Sequence, residues 1–285
     1  MTARAVNGNP ADAGSHGTPV VVESSLDNLR SADVRFLQEA ARHGPLHVRV
    51  PSDRLVEQLT GSRPLFPAAE RLFLAESLCW VTSAAIVDRP VALEMPGLAA
   101  QRTTLVVRAE AADTAARNAA REHGVPCHGI LPAALAGFPV ADPSPPPPGA
   151  PRVVVTGCFD WLHSGHIRFF MDAAAYGALY VVVGSDENVE FLKGPGHPLQ
   201  REEERRYMVG AVRSVHQCLV SSGSGWMDAE PEIDDIQPAF YVVNEDGDQP
   251  EKRDFCAAHG IEFVVLQRLP HAGLPPRTST DLRGF

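Results

Sequence analysis

Short apolar runs alternate with longer amphipathic segments along most of the chain, from residue 20 to residue 266. The runs are rich in valine and other β-branched residues, whereas the segments between them place apolar residues at the period of an α-helix. Strands that are apolar on both faces belong to parallel sheets covered by helices on each side. The pattern therefore predicts an α/β fold built on doubly wound, Rossmann-like parallel sheets.

The elements are clearest in the second half of the chain. There the apolar runs predict strands over residues 152–155, 179–184, 217–221, 239–243 and 262–266. Helical periodicity predicts helices over about residues 166–176, 186–192, 202–214 and 250–259. Between the third and fourth strands, the segment "GSGWMDAEPEI" carries glycines and a proline, and it is predicted to be a loop.

Most of this pattern occurs twice. Residues 20–61 align without a gap with residues 153–194, and residues 63–81 align with residues 197–215 after a one-residue insertion. The stretch "ADPSPPPPGAPR" separates the copies and favours an extended spacer. The repeat predicts a tandem duplication whose domains pair as an internal pseudo-dimer. The predicted parts are a disordered leader over 1–18, a first domain over 19–141, a linker over 142–151 and a second domain over 152–285.

Composition narrows the classes of function. The net charge is −10 and no basic stripe stands out, which argues against a nucleic-acid partner. Five cysteines without a CxxC pair favour reduced thiols. No segment has the apolar core of a signal peptide, and no apolar run is long enough to span a membrane. A cytoplasmic protein without a membrane partner is therefore predicted.

The candidate chemistry follows the first strand of the second copy, in "TGCFDWLHSGHIRFF". Gly157 and Gly165 allow the backbone to approach a ligand closely, and the N-terminus of the next helix presents unpaired N–H groups. His163 and His166 can donate hydrogen bonds to phosphate oxygens. Two histidines alone would more often be surface residues or metal ligands. Together with the strand and the glycines, they predict an anion site for a group whose negative charge grows during reaction.

These residues carry a resemblance to a known family. "GCFDWLHSGH" resembles the GxFDxxHxGH signature of the cytidylyltransferases, within the HxGH nucleotidyltransferase superfamily. "RTSTDLR", at residues 277–283, resembles the family's stretch that opens the last helix and holds the distal phosphates. The resemblance implies a nucleotide site made of Gly157, Cys158, Phe159, Asp160, Gly165, Asn244, Arg268, Thr278, Ser279 and Thr280.

The resemblance also implies a reaction. A phosphate oxygen of the acceptor would attack the α-phosphorus of CTP in line, and pyrophosphate would leave. His163 and His166 would stabilise the α-phosphate, and Lys193 would draw the two phosphates together. Mg²⁺ would arrive with the nucleotide, so no metal site in the protein itself is expected. The acceptor would be a small phosphorylated alcohol, a sugar phosphate or a phosphonate.

Several alternatives remain open at this stage. The same motifs serve ATP, so an adenylyltransferase is the second hypothesis, and a non-catalytic nucleotide-binding protein is the third. Asn244 departs from the family's glycine–aspartate pair near the base. Arg277 is an alternative to Arg268. Glu204 and Arg205 match the family's EER pair, which could equally be a structural salt bridge. Trp226 either borders the acceptor pocket or packs under its loop, and a homodimer through an edge strand is also open.

The first copy lacks the residues that would bind phosphate. The gapless alignment pairs Gly157 with Ser24, His163 with Arg30, Gly165 with Ala32, His166 with Asp33, and Lys193 with Thr60. The apolar pattern survives, whereas a carboxylate stands where a phosphate would bind. The first copy is therefore predicted to be a pseudo-enzyme domain that has kept its fold.

Overall fold

The computed structural model describes residues 17–110, 114–140 and 144–282. The chain divides after Gly137 into two compact units. The leader predicted over residues 1–18 lies almost wholly outside the described residues, as does the start of the predicted linker. Among the helices of the described residues, none is long and apolar enough to cross a membrane.

The first unit is a five-stranded parallel sheet with helices between its strands. The strands are β1 (Val20–Glu23), β2 (Leu46–Pro51), β3 (Val81–Val87), β4 (Thr104–Arg108) and β5 (Cys127–Ile130). The helices are α1 (Ser31–Ala41), α2 (Asp53–Thr60), α3 (Ala68–Ser77), α4 (Met95–Ala100) and α5 (Thr114–Glu122).

The second unit has the same kind of sheet. Its strands are β6 (Arg152–Gly157), β7 (Ala178–Val183), β8 (Gln217–Val220), β9 (Phe240–Asn244) and β10 (Glu262–Leu266). Its helices are α6 (Ser164–Ala174), α7 (Asp186–Lys193), α8 (Glu202–Gly210), α9 (Glu230–Ile236), α10 (Pro250–His259) and α11 (Ser279–Leu282).

The two sheets have equivalent strand orders. The order is β3-β2-β1-β4-β5 in the first unit and, read in the same sense, β8-β7-β6-β9-β10 in the second. In each case the chain builds outward on one side of the central strand and then on the other. This places a topological switch point beside β6, where ligands bind in open α/β sheets.

The side chains of β6 and β7 form the core of the second unit because they are apolar. Every residue of β7 is buried, and the valines of β6 are fully covered. Burial of such side chains on both faces is worth about 1.5–3 kcal/mol each before entropy is counted. The ends of these strands, where the sequence turns to glycine and polar residues, are left to form a site.

Most predicted element ends shift by one or two residues, and three differences are more informative. Helix α6 begins at Ser164, with His163 as its N-cap, rather than at His166. Helix α8 ends at Gly210 instead of Ser214. The segment predicted as a loop contains a short 3₁₀ helix, Gly225–Met227, and then α9. A proline in the first turn of α9 suits a helix start, so its turn-like composition was misleading.

Candidate active site

The histidine pair is anchored at the N-terminus of α6. His163 is the N-cap residue, and its Nδ1 accepts a hydrogen bond from Gly165 N–H at 3.1 Å. Because that nitrogen is an acceptor, the proton of neutral His163 lies on Nε2. This side chain is fully buried, so its orientation is fixed by the fold.

His166 stacks on His163 one helical turn later. The ring centroids are 3.8 Å apart and the planes are inclined by 21°. Phe159 packs against the pair, because its ring and that of His166 are nearly perpendicular, with the ring centroids 5.2 Å apart. Phe159 has a left-handed φ of 49°, which is uncommon for a bulky residue, and a Cβ on Gly157 would lie 2.8 Å from its ring. Gly157 therefore makes room for the aromatic support.

Burial keeps both histidines neutral. Burial, together with the charges of Arg268 and Arg277, lowers the pKa of His163 to about 4. Burial also holds the pKa of His166 well below its usual value, and the neighbouring His163 and Arg268 add to this effect. At neutral pH both imidazoles are therefore uncharged and lie in a field of positive charge, which is an environment that favours an anion.

The low pKa of His163 predicts a pH-dependent stability. The unfolded chain takes up this proton near pH 6.5 but the folded chain only near pH 4, so the free energy of unfolding should fall as pH drops through that window. The expected loss is roughly 3 kcal/mol. Urea titrations of wild type and His163→Asn between pH 4 and 7 would measure it. Asparagine can still cap the helix but cannot titrate. An equal pH dependence in both proteins would contradict the prediction.

The C-terminal hydroxyl segment reaches the same histidine. Ser279 Oγ lies 3.5 Å from His163 Nε2, at the start of α11. The carbonyl oxygen of Arg277 would lie 3.2 Å from a Cβ on Gly165, so glycine permits this close packing. Thr278 is half-buried beside these residues in sequence, and the side chain of Thr280 lies outside the described part of the structure. The two sequence motifs, distant along the chain, thus meet at one place.

Lys193 lies at the end of α7, on the side of Cys158. Its side chain is exposed, and its charge acts on both Cys158 and His166. Burial raises the pKa of the Cys158 thiol, while the Lys193 ammonium beside it opposes this rise. The structure therefore brings Lys193 to the strand β6 end of the site, where a phosphate on the histidines would be within its electrostatic reach.

Arg268 follows β10 and forms an ion pair that the sequence did not suggest. Its Nη1 donates to Asp246 Oδ2 at 2.8 Å, and both side chains are exposed. Asp246 belongs to the turn after Asn244, which is the last residue of β9. Arg268 is thus tied to the β9 turn while its charge lowers the pKa of both histidines.

Asp160 and Arg205 fix the backbone around the site, and we call their hydrogen bonds the frame of the unit. Both oxygens of Asp160 accept backbone N–H groups, from Leu199 and Gln200, at 2.8 Å each. Arg205 is completely buried and donates to the carbonyls of Gln200 and Cys158 and to Asp186. This resolves the alternatives for Arg205 in favour of a structural contact, and it gives Asp160 a positioning contact with the 199–200 backbone.

Trp226 stands on a loop fixed by α7. Asn188, a buried residue of α7, accepts from Gly225 N–H at 2.7 Å and donates to the Gly225 carbonyl at 3.1 Å. The neighbouring Trp226 is 61% exposed, so it does not pack under the loop. Asn188 was not identified from the sequence, because one asparagine in a helix carries no motif; its spacing from Lys193 on α7 is the only hint.

The first unit repeats the frame. Asp27 accepts from Leu65 and Phe66 N–H groups at 2.8 Å each. Arg71 is fully buried and donates to two backbone carbonyls and to Asp53. These contacts correspond one for one with those of Asp160 and Arg205.

The first unit differs from the second at the start of α1, the position equivalent to the histidine pair. The carboxylate of Asp33 accepts from Arg30 N–H at 3.1 Å and from Arg108 Nη2 at 2.8 Å. Arg108 also bonds the Ala32 carbonyl and lies 4.6 Å above the ring of Phe36. An internal carboxylate and its cation therefore cover the start of α1, where an incoming phosphate would meet negative charge.

Comparison with known proteins agrees with the geometry. A sequence profile described as "Cytidylyltransferase-like" matches residues 154–269. "FAD synthase" of Aciduliprofundum boonei is 34% identical over 119 residues, 41% of this chain and 76% of that protein. "FAD synthase" of Methanoregula boonei is 38% identical over 121 residues, 41% of this chain and 78% of that protein.

A third relative is larger. "Bifunctional protein HldE" of Gluconobacter oxydans is 46% identical over 121 residues, which are 41% of this chain and 25% of that protein. The chain thus spans about a quarter of the length of this relative. The profile includes both histidines, Lys193 and Arg268, and the two FAD synthases are matched over most of their length. The chain therefore belongs to the cytidylyltransferase-like family of nucleotidyltransferases.

Proposed function

We propose that the second unit transfers a nucleoside monophosphate from a triphosphate to the phosphate of a small acceptor, with release of pyrophosphate. The convergence of His163, His166 and Ser279 at the start of α6 is the observation that carries the proposal. These groups come from opposite ends of the unit and are neutral; His163 is fully buried, and His166 and Ser279 are partly buried. Such a set suits a phosphate that gains charge in its five-coordinate transition state.

Each residue has a defined part in this transfer. The Nε2–H of His163, directed towards Ser279, would donate to an oxygen of the α-phosphate, and His166 would bind a second oxygen from the adjacent ring. Lys193 would hold the acceptor phosphate against the α-phosphate, so that little motion separates reactants from the transition state. Arg268 and the hydroxyl groups of residues 278–280 would bind the leaving pyrophosphate. No covalent intermediate on the protein is required.

Mg²⁺ fits this site through the nucleotide. In the described residues, no group of three or more His, Cys, Asp or Glu side chains could hold a metal ion. The side chains nearest the proposed phosphates are neutral or cationic donors, whereas Mg²⁺ prefers oxygen ligands, which the phosphates themselves supply. When bound there, the ion would neutralise part of the charge of the departing pyrophosphate.

Two nucleotides are candidates. CTP is favoured by the match to the cytidylyltransferase-like profile and by the sequence signature. ATP is favoured by relatives named FAD synthase, because FAD contains an adenylyl group. Asn244 stands at the end of β9, beside the turn that holds Arg268, and it is the residue we expect nearest to the base.

Calorimetric titration with CTP and ATP, each with Mg²⁺, tests the proposal. We expect one of the two to bind with a stoichiometry of one per chain and to raise the melting temperature, since binding to the folded state stabilises it. His166→Ala should weaken this binding. Binding of neither triphosphate would overturn the proposed function, and two equivalent sites per chain would contradict a closed site in the first unit.

The first unit is proposed to be a non-catalytic copy. Its frame contacts match those of the second unit, which supports the predicted duplication, while the Asp33–Arg108 pair closes the place of the phosphate. Release of Asp33 from Arg108 would have to precede any anion binding there.

A further inference from the structure

The ion pair between Arg268 and Asp246 lies just beyond the carboxyl ends of β9 and β10. In the sheet, Asn244 of β9 is the register partner of Leu266 of β10. Asp246 and Arg268 each lie two residues further along the chain, and Arg268 Nη1 donates to Asp246 Oδ2 at 2.8 Å. The pair therefore continues the parallel register of the two strands beyond the end of the sheet.

The turn that carries Asp246 is held by contacts of its own. It is a short 3₁₀ helix, Glu245–Gly247, closed by a hydrogen bond from Asp248 N–H to the Glu245 carbonyl at 3.4 Å. Both carboxylate oxygens of Asp248 accept from Arg253 of α10 at 2.6 Å, which ties the turn to that helix. Asp246 thus stands on a fixed turn, and Arg268 is the partner that moves when the pair opens.

The Arg268–Asp246 pair is exposed, and this makes it exchangeable. The exposed fraction is 38% for the Arg268 side chain and 64% for that of Asp246. Water competes for both charges of such a pair, so the pair itself contributes little to stability. The buried Arg205 is different, because displacing its partner Asp186 would leave a fully covered charge unpaired. A multiply charged phosphate can therefore displace Asp246 from Arg268.

Arg268 also acts on the proposed phosphate site. Burial lowers the pKa of both His163 and His166, and the positive charge of Arg268 adds to the lowering at each of them. The guanidinium is therefore within electrostatic reach of an anion bound at the histidine pair. Such an anion and the carboxylate of Asp246 would compete for the same donor group.

The first unit lacks this ion pair. There Arg108 of β4 and Ile130 of β5 are register partners, equivalent to the last residues of β9 and β10. Two residues further along each chain stand Glu110 and Pro132, so an acidic residue is present but proline takes the place of the arginine. The frame occurs in both units, whereas the ion pair belongs to the unit that carries the histidine pair.

We propose that Asp246 competes with the phosphates of the nucleotide for Arg268, and that this competition promotes the release of pyrophosphate. This inference rests on the proposed nucleotidyl transfer. When the triphosphate binds, its distal phosphates take Arg268 from Asp246, and when pyrophosphate leaves, the carboxylate takes the guanidinium back. A fixed carboxylate beside the departing anion also repels it. Asp246 thus lowers the affinity of the site for the product that must leave.

The alternative role for Asp246 is to hold Arg268 in the orientation that binds pyrophosphate. The two roles predict opposite effects, because loss of an orienting carboxylate weakens the binding of pyrophosphate and loss of a competing carboxylate strengthens it. The exposure of Asp246 favours competition, since one contact in water does not immobilise a long arginine side chain.

Calorimetric titration of the full-length protein with pyrophosphate and Mg²⁺ tests the inference without knowledge of the base or the acceptor. Asp246→Asn should lower the Kd of pyrophosphate about fivefold, the size expected for loss of an exposed ion pair. Asp246→Glu keeps the carboxylate and should bind pyrophosphate as the wild type does. An unchanged or higher Kd in Asp246→Asn would overturn the inference.

Two further comparisons show whether the effect passes through Arg268. Asp248→Asn removes the same charge from the same turn, where the carboxylate is bound by Arg253 instead, and it should leave the Kd unchanged. In the Arg268→Gln background, Asp246→Asn should have little effect, because the group for which the anions compete is gone. Equal tightening in Asp248→Asn, or full tightening without Arg268, would contradict the competition.

The same titrations separate this inference from the proposed function. If the wild type binds the triphosphate but not pyrophosphate alone, the Kd of the triphosphate is compared instead, and Asp246→Asn should lower it about fivefold. A triphosphate Kd that does not fall would then overturn the inference. If the wild type binds neither ligand, the proposed function is overturned.

Discussion

Replacing His166 with alanine is expected to lower kcat for nucleotidyl transfer by about 10²–10³-fold. The ring stacks on His163 with the ring centroids 3.8 Å apart, and burial keeps it neutral, so it is already in position when charge develops on the α-phosphate. Alanine removes the imidazole and leaves water in its place. Steady-state pyrophosphate release, at saturating acceptor and triphosphate, gives the kcat that checks this.

The first unit supplies a matched control for this experiment. Arg30 is the N-cap of α1, as His163 is the N-cap of α6, and its side chain is exposed. Arg30→Ala should leave kcat unchanged if the first unit takes no part in the chemistry. Equal losses in Arg30→Ala and His166→Ala would contradict a non-catalytic first unit. A normal kcat in His166→Ala would remove the histidine pair from the proposed mechanism.

Much of the fold was predictable because it depends on local patterns. Parallel strands buried on both faces read as runs of valine, and the structure has the predicted second-unit strands with changes of a few residues at their ends. Helix α9 was missed, because Pro231 and the acidic residues around it resemble a loop in composition. The helix forms because Ile233 and Ile236 are buried against the sheet. That packing depends on the tertiary structure and leaves no local pattern in the sequence.

The site was predictable only in part, for the same reason. His163 and His166 lie in one short motif, so their proximity follows from helix geometry. The meeting of His163 with Ser279, and that of Arg268 with Asp246, join residues far apart in sequence. The aromatic support under the histidines also required the structure, since a left-handed Phe159 packed on Gly157 has no sequence signal of its own.

Replacing Arg205 with alanine is expected to lower the free energy of unfolding of the second unit by about 3–5 kcal/mol. The guanidinium is completely buried, and its loss would leave the Cys158 and Gln200 carbonyls and the Asp186 carboxylate without their donor. A buried acceptor deprived of its partner costs more than the bond itself contributed. Urea denaturation of wild type and variant, followed by tryptophan fluorescence, measures the change.

Neighbouring and equivalent arginines give the controls that make this measurement specific. Arg206→Ala makes the same substitution at the next position of α8, where the side chain is partly exposed, and it should change stability by only about 0.5 kcal/mol. Arg71→Ala removes the equivalent contacts in the first unit, which contains Trp80, and it should destabilise that unit by a similar amount to Arg205→Ala in the second. A loss in Arg205→Ala no greater than in Arg206→Ala would contradict a structural role for Arg205. If Arg71 and Arg205 behave alike while only the second unit binds nucleotide, then the frame and the chemistry of this fold are separable. Both units have the buried arginine, and only the second has the histidine pair.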